Sequence, residues 1–116
     1  MPKRGERVAP PPRAPDWDLR FATGEAAAGW EELSRKGPGP TRDAFDALAR
    51  NPRDRSDLGR QHQLKGELGT RVVGGVALEQ WQYEVTGAGR VWYCVDDRNR
   101  RVLLTLAMTG HPKTTE

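Results

Sequence analysis

Cysteine is almost missing from this chain. Cys94 stands alone among 116 residues, which rules out an internal disulfide and a zinc site built from several thiolates. Histidine is nearly as scarce. His62 and His111 are the only two, no pair has metal-ligand spacing, and no metal or cofactor is expected. Long apolar runs are lacking too. The longest are a few residues, against the roughly 20 that a membrane-spanning helix needs. The basic start Met1-Pro2-Lys3-Arg4-Gly5 leads into no apolar stretch, so a secretory signal is not expected. Together these lacks read as a cytoplasmic protein in a reducing compartment. Neither sign of charge dominates, with 19 Lys and Arg against 16 Asp and Glu. Residues 1–60 carry 12 bases and 10 acids, and residues 61–116 carry 7 and 6. With no basic tail, any nucleic-acid surface must be assembled by folding.

What the chain does have is punctuation and arginine. Gly (13) and Pro (9) are abundant for one small domain, so loops should be many and ordered elements short. Arginine outnumbers lysine 15 to 4, and the guanidinium fork suits phosphate better than an ammonium does. Five prolines among residues 1–15 leave no room for a helix or a central strand, so that arm is expected to be disordered. Residues 16–116 are expected to form one domain.

Trp17-Asp18-Leu19-Arg20-Phe21 alternates as a strand. Thr23 can cap a helix over Glu25–Lys36, with Ala26, Trp30 and Leu33 on one stripe. Gly37-Pro38-Gly39-Pro40 ends it, Thr41 reads as a second N-cap, and Ala44, Phe45, Leu48 and Ala49 continue at helical spacing up to Asn51-Pro52. Residues 53–69 read as irregular, tacked down by Leu58, Leu64 and Leu68. A meander follows: Arg71-Val72-Val73, the Gly74-Gly75 turn, a strand through Trp81, Tyr83 and Val85, the Gly87-Ala88-Gly89 turn, a strand over Arg90–Val95, and a last strand over Val102–Met108. The last strand is apolar on both faces and should be central. The order predicts an α+β domain: an N-terminal strand and an antiparallel helical hairpin packed on a mainly antiparallel sheet of about three to five strands.

No nucleophilic triad or phosphate-binding glycine loop is present. Arg90, His111 and Lys113 fall at strand ends and turns, and Lys65 and Arg71 flank the sheet. Metal-independent RNA cleavage needs groups of this kind: a base for the 2′-hydroxyl, an acid for the leaving 5′-oxygen, and cations for the charged transition state. Each also has a plainer reading. Arg90 can pair with Glu84 across its hairpin, Lys65 can be a loop lysine and His111 a surface residue. Trp81, Tyr83 and Trp92 can stack bases or fill a core. Cys94 reads as a small buried hydrophobe.

Across Leu64-Lys65-Gly66, Trp81-Gln82-Tyr83-Glu84-Val85 and Gly89-Arg90-Val91-Trp92-Tyr93-Cys94-Val95-Asp96-Asp97, the sequence resembles the RelE/ParE toxin superfamily. Its ending, Gly110-His111-Pro112-Lys113-Thr114-Thr115-Glu116, looks like an actinobacterial-type branch of RelE-like toxins. The resemblance covers about residues 17–116. It implies the toxin of a type II toxin–antitoxin system, an mRNA interferase that cleaves messenger RNA in the A site of the 70S ribosome. It also implies a small cognate antitoxin, and a toxin–antitoxin complex that can bind operator DNA. By position it assigns catalysis to Arg90, His111 and Lys65, with His62 near where a related branch places its carboxylate base. Arg60, Arg71, Lys113 and Trp92 are the accompanying candidates for holding RNA or phosphate. The sequence departs from the family at Glu84 and Val85, where RelE has an arginine before the hairpin turn, and at Pro112, where a tyrosine is expected. These departures leave two alternatives: a non-catalytic ParE-like toxin that binds DNA gyrase, and a degenerate RelE-fold binding protein.

Overall fold

The computed structural model describes residues 2–110, so His111 and Lys113 lie outside the described residues. The chain runs β1 (Asp18–Phe21), α1 (Gly24–Lys36), α2 (Pro38–Arg50), β2 (Gln61–Gln63), a 3-10 turn (Gly66–Gly69), β3 (Thr70–Val73), β4 (Val76–Glu84), β5 (Arg90–Asp96) and β6 (Arg101–Met108). The sheet order is β1-β6-β5-β4-β2, with β3 also on β4. Only the β1–β6 pair is parallel. This is the α+β architecture expected, with β6 inside the sheet and β1 beside it, but the sheet has six strands where three to five were expected, because the polar strand β2 adds an edge.

Local chemistry explains each element. The Thr23 side chain caps α1, accepting from the Ala26 N–H at 2.9 Å while its hydroxyl donates to the Thr105 carbonyl, also at 2.9 Å. One side chain therefore starts the helix and ties it to β6. The helical hairpin turns on Gly37 alone. The second helix begins at Pro38, three residues before the expected cap. Proline is well suited there because the first helical N–H groups have no partner in any case. Thr41 is consequently inside α2, buried, with its hydroxyl donating to the Leu33 carbonyl at 3.0 Å. At the β3–β4 turn both Gly74 and Gly75 take positive φ (59° and 81°), which suits a tight two-residue hairpin turn.

The core lies between the helices and one face of the sheet. It gathers Leu19, Phe21, Trp30, Leu33, Phe45 and Leu48 with Trp81, Tyr83, Val91, Tyr93, Val102 and Leu104. Trp81 is 1% exposed. Its indole donates to Glu79 at 3.1 Å and the Arg55 guanidinium lies 5.8 Å from its ring. Trp81 and Tyr83 thus fill the core and do not offer faces to bases.

Three further features differ from the sequence reading. The arm is not wholly free: Val8 is buried, and Gly5 to Val8 exchange backbone bonds with Leu19 and Phe21, closing the outer edge of β1. Leu58 and Leu68 are exposed rather than tacking down their segment. The segment also holds the short strand β2, which alternation could not reveal because it reads Gln-His-Gln. Its anchor is polar. Buried Gln61 donates to the Tyr93 hydroxyl (3.0 Å) and the Asn51 carbonyl (3.2 Å), while Tyr93 donates to the Pro52 carbonyl (2.7 Å).

Candidate functional site

The helices cover one face of the sheet and leave the other. On this open face, residues paired across strands form rows, because directly opposed side chains point the same way. One row is His62, Gln82, Trp92 and Leu106; the next is Glu84, Arg90 and Met108. Between Trp92 and Tyr93 the register slips: Trp92 faces Leu106 and Tyr93 faces Leu104, so Thr105 is an extra residue in β6. The bulge turns the Thr105 hydroxyl onto Gln80 at 2.6 Å, and Gln80 in turn donates to the Leu68 carbonyl at 2.9 Å. The 3-10 turn is thereby fastened to the floor of the open face.

His62 is half-buried on edge strand β2. Its Nδ1 lies 2.9 Å from the Leu58 carbonyl. A carbonyl only accepts, so Nδ1 carries the proton and Nε2 of the neutral ring keeps its lone pair. That is the tautomer a general base requires. Lys65 follows three residues later and is exposed, as is Arg71 on β3. The Arg71 charge reaches Cys94, where burial pushes the thiol up to about 11 and Arg71 pulls it partly back. Cys94 is therefore a buried, protonated thiol and not a nucleophile.

The other candidates are more committed. Arg90 is almost fully buried. Its Nη1 donates to the carbonyls of Thr86 (3.1 Å), Gly87 (3.3 Å) and Gly89 (3.1 Å), and it lies 3.6 Å from Glu84. It braces the β4–β5 turn instead of standing open as a phosphate fork. Trp92 is 7% exposed, and its indole donates to Gln82 at 2.9 Å, so it offers little face for stacking. Arg60 is exposed, and the Tyr83 hydroxyl, followed by the charges of Asp57 and Glu84, raises its pKa above the ordinary arginine value.

The structure thus brings His62 and Trp92 into one row and Arg90 into the next, with Arg71 over the same face. Sequence reading missed Gln82, which links the His62 position to Trp92. Its signal was its place in the Trp81-Gln82-Tyr83-Glu84 alternation, on the face opposite the core. Among the described residues no cluster of His, Cys, Asp or Glu could hold a metal ion. No described helix is long and apolar enough to cross a membrane.

No protein-family model matches the chain, and no curated protein matches it. Among solved structures it is similar to a chain of the toxin–antitoxin complex RelBE2 from Mycobacterium tuberculosis. The two share 23% identity with a TM-score of 0.54, over 84% of this chain and 99% of that one. At this identity the likeness defines the fold: it is a RelE-like α+β fold, as the sequence resemblance implied.

Proposed function

We propose that the chain is the toxin of a type II toxin–antitoxin pair, acting in the cytoplasm as a metal-independent endoribonuclease on ribosome-bound mRNA. A fold shared with a chain of a toxin–antitoxin complex supports the toxin role and a small antitoxin as partner. The observation that carries the chemistry is His62, held on the open sheet face with Nδ1 bonded to a backbone carbonyl. Its Nε2 accepts the proton of an RNA 2′-hydroxyl. The 2′-oxygen attacks the adjacent phosphorus, the bond to the 5′-oxygen breaks, and His111 supplies the proton that oxygen needs. The products are a 2′,3′-cyclic phosphate and a 5′-hydroxyl. Lys65, Arg71 and Lys113 supply positive charge to the transition state. The toxin–antitoxin complex binds operator DNA.

A second reading has its own observation. Arg90 is engaged by three turn carbonyls and Trp92 is largely covered, which favours a toxin that acts by binding, with DNA gyrase as target. An in vitro translation reaction separates the two, with 5′ ends on a reporter message mapped by primer extension. The nuclease reading expects ribosome-dependent cuts that fall about 10²–10⁴-fold in His62→Ala, the usual contribution of a general base, and comparably in His111→Ala. Arrested growth without cuts, together with inhibited supercoiling by gyrase, would establish the binding toxin.

A further inference from the structure

A second group of charges lies on the open face, at the opposite edge of the sheet from His62. Asp18 and Arg20 project there from β1, since Leu19 and Phe21 take the core side. Arg101 is opposite Asp18 in the β1–β6 register, and Arg7 of the arm is bridged to Arg20. All three arginines converge on one carboxylate through Nε: Arg20 at 2.9 Å, Arg7 at 3.2 Å and Arg101 at 3.6 Å. Each guanidinium carries five N–H donors, and a carboxylate has about four acceptor sites. One acid cannot saturate three such forks. Asp96, opposite Arg101 in β5 and on the lining of the neighbouring cleft, keeps its negative charge while its oxygens accept from Asn99, so one positive charge remains in excess over Asp18 and Asp96.

Arg101 also lines a cleft of about 590 Å³. Its apolar wall is Leu103, Leu78, Val73 and Val76, and the β5–β6 turn forms its rim. Asp97 on that rim is taken by Arg53 through paired bonds of 2.7 and 2.8 Å. A cationic cluster that shares a residue with an apolar cleft matches the two halves of a nucleotide, a charged phosphate and a flat ring.

We propose that Arg7, Arg20 and Arg101 hold a phosphodiester of single-stranded RNA, and that the adjoining cleft takes the base next to it. Asp18 keeps the three forks together when no RNA is bound. The choice of RNA rests on the ribonuclease reading; the phosphate and base subsites rest on the geometry.

The test measures binding without cleavage. A fluorescent single-stranded oligonucleotide with 2′-O-methyl riboses cannot supply the attacking hydroxyl, and its anisotropy is followed over a salt series. Arg7→Gln, Arg20→Gln and Arg101→Gln should each weaken binding several-fold, and the three together should reduce the slope of log affinity against log salt by about 0.7, the share of one phosphate on a single strand. Arg35→Gln, on the exposed last turn of α1, should change neither. Asp18→Asn should tighten binding several-fold, because it removes the competing anion and leaves the arginines in place. An abasic strand of equal length should bind several-fold more weakly than the parent. Circular dichroism reports folding of each variant, and Arg→Lys at the same positions should keep the salt slope.

Gln variants indistinguishable from Arg35→Gln would overturn the proposal. So would Asp18→Asn weakening RNA binding, the outcome for arginines that serve only the fold. Equal affinity for the abasic strand would remove the cleft, and preference for duplex DNA would assign the arginines to another ligand. Loss of cleavage in the translation assay with this binding intact would sink the nuclease reading alone.

Discussion

Arg90 sits where its strand begins, and its Nη1 donates to the Thr86, Gly87 and Gly89 carbonyls of the turn before it. The Gly89 carbonyl also accepts from the Val85 N–H at 2.9 Å and Gly87 is exposed, so the dependence runs mainly the other way: a buried guanidinium without partners is costly, and the turn and Glu84 at 3.6 Å satisfy it. Removing the side chain takes a donor from the turn and the counter-charge from Glu84 at once. Arg90→Ala should lower stability by about 2–4 kcal/mol, in line with breaking a buried charged network. Urea unfolding measures this. A loss under about 0.5 kcal/mol, the range of an ordinary surface substitution, would mean that the turn does not need the arginine and that its fork is available to a ligand. The sequence carried both readings of Arg90, since a Gly-rich turn beside an arginine fits a phosphate as well as a brace. Trp92 was ambiguous for a related reason. Alternation places it on the face opposite Val91 and Tyr93, but its coverage depends on Gln82 one strand away.

At the scale of elements, the sequence was clearest where one residue type has one job. Thr23 caps α1, Asn51 ends α2 and Gly74-Gly75 make a hairpin turn, as their chemistry implies. It was misleading at Thr41, because Pro38 starts α2 a turn earlier than a hydroxyl cap would. It was silent at β2, whose hold on the molecule is the buried amide of Gln61 and not an apolar pattern. It was silent again on the arm, where Val8 is the one residue to enter the core among many prolines. The close contact of α1 with β6 gives the prediction at this scale. A Cβ added at Gly29 would run into the Ala107 carbonyl oxygen. Alanine favours a helix over glycine by about 1 kcal/mol, so propensity alone expects Gly29→Ala to stabilise. Backbone on both sides cannot yield cheaply, and overpacking of this kind costs about 1–3 kcal/mol or more. A lowered melting temperature is expected; a raised one would mean that α1 can lift from β6 without loss.

At the scale of the whole molecule, the two sheet edges are finished differently. The arm closes β1, while the edge carrying β2 and β3 holds His62 and Arg71. The segment after α2, which leads to that second edge, is fixed by Arg53. It donates to Asp97 in the β5–β6 turn (2.7 and 2.8 Å) and to Glu79 on β4 (3.0 Å). Arg53 holds the Asp97 carboxyl below the usual carboxylate range. The Trp81 indole and then Arg53 do the same for Glu79. Both folded-state pKa values are depressed, so the stability they contribute is complete above the unfolded carboxylate pKa and is lost as pH falls through the folded one. The side chains are partly exposed, at 32% for Arg53, 45% for Glu79 and 65% for Asp97, so water and salt screen the network and its worth is about 1 kcal/mol. Arg53→Met should therefore lose about that much at neutral pH and less at about pH 3, below the unfolded carboxylate pKa, where the wild type has begun to lose the network. Urea unfolding at the two pH values, with the difference between proteins as the readout, tests this. A deficit in Arg53→Met that persists undiminished in acid would show that Arg53 holds the second edge through packing of its stem, and that the two carboxylates are bystanders.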